Sequence, residues 1–375
     1  MIYLDYSANT PVDARVLEQF CAVERRCIGN ANSHHQAGSA AKAEIDAATI
    51  KIASLLGVQP AEIIYTSGAS EANNFALKGL ARLSRHAGRH IISTPLEHSS
   101  VSGTLTALQE QGYEIDLLDV KQDGTVDLEH LKDLLRPDTI CVAVTLVDSE
   151  LGVVQPVQEI AAILKAYPHC HLHVDVTQAV GKIPVSFEGV DTMSLTAHKF
   201  YGLNGIGLLI KRRNLALEPL IHGGESTTIY RSGTPTVALA SSLACALDLA
   251  VTDLPNRVDH VAKLNAELRA ALSTYPLVRI NSPEYAIPHV LNLSVRNVKG
   301  TVFQRELDAK GVCVSVKSAC SSDGLPSRAV FAVSRDRRNA LSSWRISLSH
   351  LTTEDEIKAF LQAFDVCYRE LTAVH

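Results

Sequence analysis

Three short stretches set chemically capable residues at the ends of apolar runs. In Thr66-Ser67-Gly68-Ala69-Ser70-Glu71, an apolar run gives way to small residues and then to a helical pattern. Small side chains leave backbone N–H groups bare at a helix N-terminus, where the dipole favours an anion such as a phosphate. An ordinary helix start capped by Ser67 or Ser70 satisfies the same pattern. No Lys follows at P-loop spacing and no Gly-x-Gly-x-x-Gly occurs, so neither nucleotide fingerprint is supported. In His173-Val174-Asp175-Val176-Thr177-Gln178, an apolar strand ends in a carboxylate, with an amide three residues on. Ligands of open α/β sheets lie outside the carboxyl ends of strands, and a carboxylate there needs a cationic or hydrogen-bonding partner; a helix N-cap is the alternative. In Ser194 to Gly207, SLTAHKFYGLNGIG, Lys199 follows an apolar strand and precedes a glycine-rich turn. Partial desolvation there lowers an amine's pKa and makes it nucleophilic, whereas a solvated strand-end lysine is the plain reading.

Taken together, an anion cup, a carboxylate and a desolvated lysine are the parts that hold pyridoxal phosphate by its phosphate, ring nitrogen and aldehyde. The elements that must position them alternate. Short β-branched runs at 62–65, 90–94, 114–120, 139–147, 171–176, 192–195 and 207–211 are interleaved with helical patterns at 71–84, 101–111, 128–135 and 157–167. This rhythm predicts a parallel or mixed α/β sheet. After Asp253 it changes to a long helix (258–274), strands at 278–281 and 290–295, a helix at 302–310, strands near 312–316 and 344–348, and a closing helix from Thr353. At 375 residues and 46% hydrophobic the chain can fill two unequal cores. The expected units are 13–253, and 1–12 with 254–375, although the first dozen residues can pack with either.

A formal net charge of −5 supplies no field for nucleic acid or an anionic membrane. The start MIYLDYSANTPVD lacks the basic and then apolar run of a signal peptide. The uncharged stretch Pro235–Leu247 falls short of the ~20 residues of a membrane span and reads as a buried helix. The eight cysteines are scattered, with no Cys-x-x-Cys pair and no zinc-like spacing. A reducing cytoplasm and mostly inert core thiols are expected, with no metal site. His34 and His35 read as structural or pocket-rim residues, and Lys211-Arg212-Arg213 and Arg335-Asp336-Arg337-Arg338 as solvated turns.

The order of TSGASEANNFALKG, LEHSSV, HVDVTQAVGKIP, SLTAHKFYGLNGIG, RSGT, SACSS and WRISLSHLTTEDEI resembles that of cysteine desulfurases, which are class V aminotransferase-fold enzymes. The resemblance runs over essentially the whole chain. It implies the fold-type I architecture of pyridoxal-phosphate-dependent transferases: a large domain with a mostly parallel seven-stranded sheet, and a smaller α+β domain. It implies Lys199 as the Schiff-base lysine, Asp175 as partner of the ring nitrogen, Gln178 of the ring oxygen, and His98 as the imidazole stacked on the ring. His98 alone reads as a helix cap. Ala69, Ser70, Thr196 and His198 would form the phosphate cup, and Thr234 would reach the phosphate across a homodimer interface. Cys320 resembles the catalytic cysteine of members with a longer loop; by its neighbours alone it is a surface thiol. Arg345 resembles the arginine that grips the substrate carboxylate, a task suited to its planar fork; otherwise it is a strand-end arginine facing water or an acid.

The implied reaction removes sulfur from L-cysteine, giving L-alanine and a persulfide on Cys320 that passes to a protein acceptor in iron–sulfur or thiolation pathways. Alternatives are another enzyme on this fold (an aminotransferase, a selenocysteine lyase or a β-eliminating lyase) and a weakly active interaction subunit. Several positions depart from the usual pattern. Asp148-Ser149-Glu150 stands for Asn-Asn-Glu, which puts Ser149 where an amide meets the ring oxygen and substrate carboxylate. Asn9 stands for Thr and is expected to reshape the pocket, Lys317 for Gly, and Ser349-His350 for Gly-Arg. Glu225 to Tyr230 replaces an Arg-containing turn, and the chain stops at His375, short of the tail by which some relatives dock a scaffold.

Overall fold

The seven β-branched runs before residue 212 form one sheet. The computed structural model describes residues 1–224, 226–317 and 325–373. After a two-residue strand β1 (Ile2–Tyr3) come β2 (Ile63–Thr66), β3 (His90–Ser93), β4 (Glu114–Leu117), β5 (Thr139–Thr145), β6 (His171–Asp175), β7 (Thr192–Thr196) and β8 (Gly207–Lys211). The seven-stranded order is β2-β8-β7-β6-β5-β3-β4. Only β8 runs antiparallel to its neighbours; the other pairings are parallel. Its central strands are buried almost throughout; β5 therefore reads as a near-continuous apolar run, whereas β6 and β7 alternate and bury His173, Thr192 and Ser194 in hydrogen bonds. Helices cover both faces. Val237–Thr252, the buried helix expected from Pro235–Leu247, packs in the main core.

Four helices among the described residues escape the periodicity reading. Ala14–Arg26 is capped by Asp13. Gln36–Leu56 buries a stripe of Ala41, Ile45, Ala48, Ile52 and Leu56 that its alanines on the other faces hide in the sequence; His35 caps its start through Nδ1, and Gly57 ends it in the left-handed region at φ 66°. His35 therefore has the structural role expected of it. Arg328–Ser334 and Arg337–Ser342 are each under two turns, and Asp336, expected in a solvated turn, caps the second.

The remaining strands, β9 (Val278–Ile280), β10 (Val290–Val295), β11 (Val312–Cys313) and β12 (Ser343–Ser347), build a second unit. Its antiparallel sheet β12-β10-β9 backs a separate core in which Trp344 stacks on Phe303 at 5.1 Å beside Phe360 and Phe364. The N-terminal segment joins both units. β1 pairs with β11 and Leu4 enters the second core. A few residues on, Thr10 N–H donates to the His198 carbonyl at 3.0 Å and Asp13 N–H to that of Tyr201 at 2.9 Å.

Candidate active site

The strands deliver the flagged residues to one cavity of about 360 Å³ at the carboxyl end of the large sheet. Gly207 lets the chain close there: a Cβ on it would lie 2.6 Å from the Gly68 Cα and the Leu195 carbonyl oxygen.

Asp175 ends β6 and starts no helix. Its Oδ1 accepts from the Thr177 N–H at 2.9 Å, and its Oδ2 from Asn73 Nδ2 at 2.8 Å. Because the carboxylate needs a donor, Asn73 turns its oxygen the other way, toward the Ser194 hydroxyl and His173 Nε2 (3.0 Å). His173 then carries its proton on Nε2 and accepts from Thr192 Oγ1 at 2.9 Å. Burial pushes its pKa down to about 4, so the imidazole is neutral. Asn73 is fully buried and central to this network, yet no sequence signal marked it.

Lys199 lies just beyond β7, and its Nζ donates to the carbonyls of Ser7 at 2.7 Å and Ala8 at 2.5 Å. It is half-buried and lines the cavity, as do Gln178, Ser149 and His98. His98 caps the helix Ser99–Gln109, as its neighbours alone predict, and it also lines the cavity. Its Nδ1 accepts from the Ser100 N–H at 3.2 Å, which leaves the proton on Nε2, and burial lowers its pKa.

At the other end, the helix Ala69–Leu83 begins after Gly68 with no side-chain cap. A start capped by the Ser67 or Ser70 hydroxyl is thereby excluded, and the Ser67 N–H donates to Glu71 Oε2 at 2.7 Å. Ala69, Ser70, Thr196 and His198 line the cavity around this uncapped start, with Thr196 Oγ1 3.1 Å from His198 Nδ1. Burial, with Lys199 and Lys182 nearby, pushes His198 down to about 4. Thr234 lines an adjoining recess with Ser67 and Gly205, outside the cavity of its own chain.

Arg345 sits in mid-strand in β12, only 1% exposed. It donates to Asp5 Oδ1 at 3.0 Å and to the Ser149 carbonyl at 2.7 Å, and its Nε is buried without a partner among the described residues. Of its two plain readings, the acid pairing holds and the water-facing one does not. Asn9 does not reshape the cavity as expected: its side chain is exposed and donates to the Thr10 carbonyl at 3.2 Å, while Ser7 and Ala8 form the wall. Of the seven described cysteines, only Cys141, Cys170 and Cys367 are buried, so the expected mostly buried set is a minority. Cys21, Cys27, Cys245 and Cys313 lie partly open on element flanks. Cys320 and Glu225 lie outside the described residues.

A second carboxyl escaped notice. Glu97, beside His98, is enclosed, and its Oε1 accepts from Thr94 Oγ1 and the Thr145 N–H, both at 2.8 Å. Burial pushes it up to about 8 against those two bonds. The folded state therefore holds its proton more tightly than the unfolded chain. This contribution to stability is complete below the ordinary carboxyl range and is lost as pH rises through about 8. Glu97→Gln should remove that loss, gaining roughly 1–2 kcal/mol over wild type between about pH 5 and pH 9. Thermal melts of both proteins across that range test it; parallel curves would contradict it.

The Aminotransferase class-V family profile matches residues 2–360. The chain belongs to that family. It is 36% identical to a NifS/IcsS protein homolog of Lactobacillus delbrueckii subsp. bulgaricus, over 100% of this chain and 99% of the relative. It is 39% identical to cysteine desulfurase IscS of Proteus mirabilis, over 95% and 90%. A solved NifS-like protein superposes with a TM-score of 0.92 at 35% identity, over 99% of both chains. The fold-type I architecture expected from the motifs is therefore the one observed. Class V aminotransferases and cysteine desulfurases are pyridoxal-phosphate-dependent enzymes. The cavity fits that group on its own chemistry: a carboxylate, a lysine amine, an imidazole and an uncapped helix start face one space.

Proposed function

We propose that this chain is a cysteine desulfurase that converts L-cysteine to L-alanine and retains the sulfur as a persulfide on Cys320. The observation that carries the reading is the convergence of Lys199, Asp175, His98 and the uncapped helix start on one cavity, with Arg345 held at the same wall. Pyridoxal phosphate, when bound, supplies an electron sink for the pair released at the substrate α-carbon. In this reading Asp175 holds the ring nitrogen and Gln178 the ring oxygen. Ala69, Ser70, Thr196 and His198 would hold the phosphate, Lys199 would bind the aldehyde, and His98 would face the ring.

The chain's own groups do the rest. Lys199 Nζ, held at the Ser7 and Ala8 carbonyls, moves the α-proton. Arg345 is fixed by Asp5 and the Ser149 carbonyl, so the guanidinium N–H groups outside those two bonds meet the substrate carboxylate without a search through rotamers. Ser149 offers a short hydroxyl in place of an amide there. His98, neutral with its proton on Nε2, donates into the cavity. Overall, L-cysteine and the Cys320 thiol give L-alanine and the Cys320 persulfide: a C–S bond becomes C–H, a sulfur–sulfur bond forms, and no outside oxidant is consumed. A protein acceptor then takes the sulfur.

Two further parts belong to the proposal. Residues 13–253 form the coenzyme-binding unit, and 1–12 with 254–375 the smaller one; the separate cores on either side support this division. The enzyme works as a homodimer in the cytoplasm, each copy giving Thr234 to the other's phosphate site. No single helix among the described residues is long and apolar enough to cross a membrane.

The test is to supply the purified full chain with pyridoxal phosphate and L-cysteine, and to measure alanine and protein persulfide. Equal yields of both, with a visible band near ~420 nm from the bound coenzyme, are expected. Pyruvate and free sulfide would indicate a β-eliminating lyase, and turnover of selenocysteine alone a selenocysteine lyase.

A further inference from the structure

One ionisable side chain beside the cavity has no part in the scheme above. Lys182 lies past the end of β6 and is 6% exposed. Its Nζ is 3.0 Å from Gln178 Oε1, while the other end of that amide, Nε2, donates to the Ser7 carbonyl at 2.9 Å. A carbonyl only accepts, so Ser7 fixes which way the amide faces: nitrogen to Ser7, oxygen to Lys182. The amide nitrogen has a second hydrogen, and Gln178 lines the cavity.

The groups acting on Lys182 make its place costly. The charges of Lys199 and Arg345 oppose its own, and His198 and His289 in turn feel it. Burial, with those two charges, pushes its pKa down to about 7. An apolar residue would avoid that cost. As an ammonium or as a neutral amine, Lys182 still donates to Gln178 Oε1, so the contact survives a change of protonation. Without it, that oxygen would be an enclosed acceptor lacking a donor, and the amide would keep only its Ser7 anchor.

We propose that Lys182 is a positioning residue that, by holding Gln178 Oε1, aims the second N–H of the same amide into the cavity at the ring oxygen of bound pyridoxal phosphate. This rests on the coenzyme assignment above. A donor at that oxygen stabilises its anionic form, so losing the donor raises the pH midpoint at which the visible band changes.

The experiment titrates that band in full-length protein loaded with pyridoxal phosphate, for wild type, Lys182→Met, Gln178→Leu and the double variant. Lys182→Met should raise the midpoint by about half a pH unit to one unit, the scale of one hydrogen bond. Gln178→Leu should raise it at least as much, and the double variant should match Gln178→Leu alone. An unshifted Lys182→Met would overturn the proposal. So would a double variant in which the two shifts add, since Lys182 would then act by its charge and not through the amide. If Lys182→Met does not fold, Lys182→Leu enters the same cycle. A wild-type protein that takes up no coenzyme would fail earlier, sinking the coenzyme assignment itself.

Discussion

Alanine formation from L-cysteine is expected to fall on the order of 10³-fold or more when Lys199 is replaced by alanine, because one amine is asked both to bind the coenzyme aldehyde and to move the α-proton. The geometry makes the substitution specific. Nζ is anchored at the Ser7 and Ala8 carbonyls, and among the described residues no other lysine or arginine lines the cavity apart from Arg345, which Asp5 and Ser149 hold in place. The fold should be untouched, since a half-buried lysine is removed in favour of a smaller residue. The checks are alanine release, the visible absorbance of the loaded protein, and mass spectrometry after borohydride reduction. Wild type should gain the coenzyme's mass and Lys199→Ala should not. A variant that still labels, or turns over within tenfold of wild type, would place the reactive amine elsewhere.

The second large effect concerns Cys320. Cys320→Ser should lower alanine and persulfide formation by on the order of 10²-fold or more, since a hydroxyl at neutral pH is a far poorer nucleophile toward sulfur than a thiolate. The visible band and its pH midpoint should stay as in wild type, because the residues assigned to the coenzyme are elsewhere in the chain. That separation discriminates among readings. An aminotransferase or a β-eliminating lyase has no use for this thiol, so unchanged turnover in Cys320→Ser would move the chain to one of those. Retained alanine with lost persulfide would assign the sulfur transfer to another acceptor.

Much of this site was legible because its parts sit at strand ends. An apolar run followed by a polar residue is a local pattern, and in a parallel sheet every such end faces the same edge. Asp175, Lys199 and the small residues at 67–70 therefore carried their meaning in their neighbours. Other residues gave two readings that only contact separated. His98 caps a helix and also faces the cavity. Arg345 pairs with an acid, yet lines the cavity. Asn9 differs from the usual residue but points outward, so its identity leaves the cavity unchanged.

What the sequence by itself determined is the alternation that makes the large sheet, the change of rhythm after Asp253, and the chemical types offered at each strand end, because these depend on spacing over a few residues. The tertiary structure alone decided that the carbonyls of Ser7 and Ala8 receive Lys199 from nearly two hundred positions away. It likewise decided that Asp5 fixes Arg345, that Asn73 orders Asp175, and that Glu97 holds its proton. Hydrogen-bond partners distant in the chain, and the depth of burial that shifts a pKa, are properties of the packed core, which no local pattern of residues encodes.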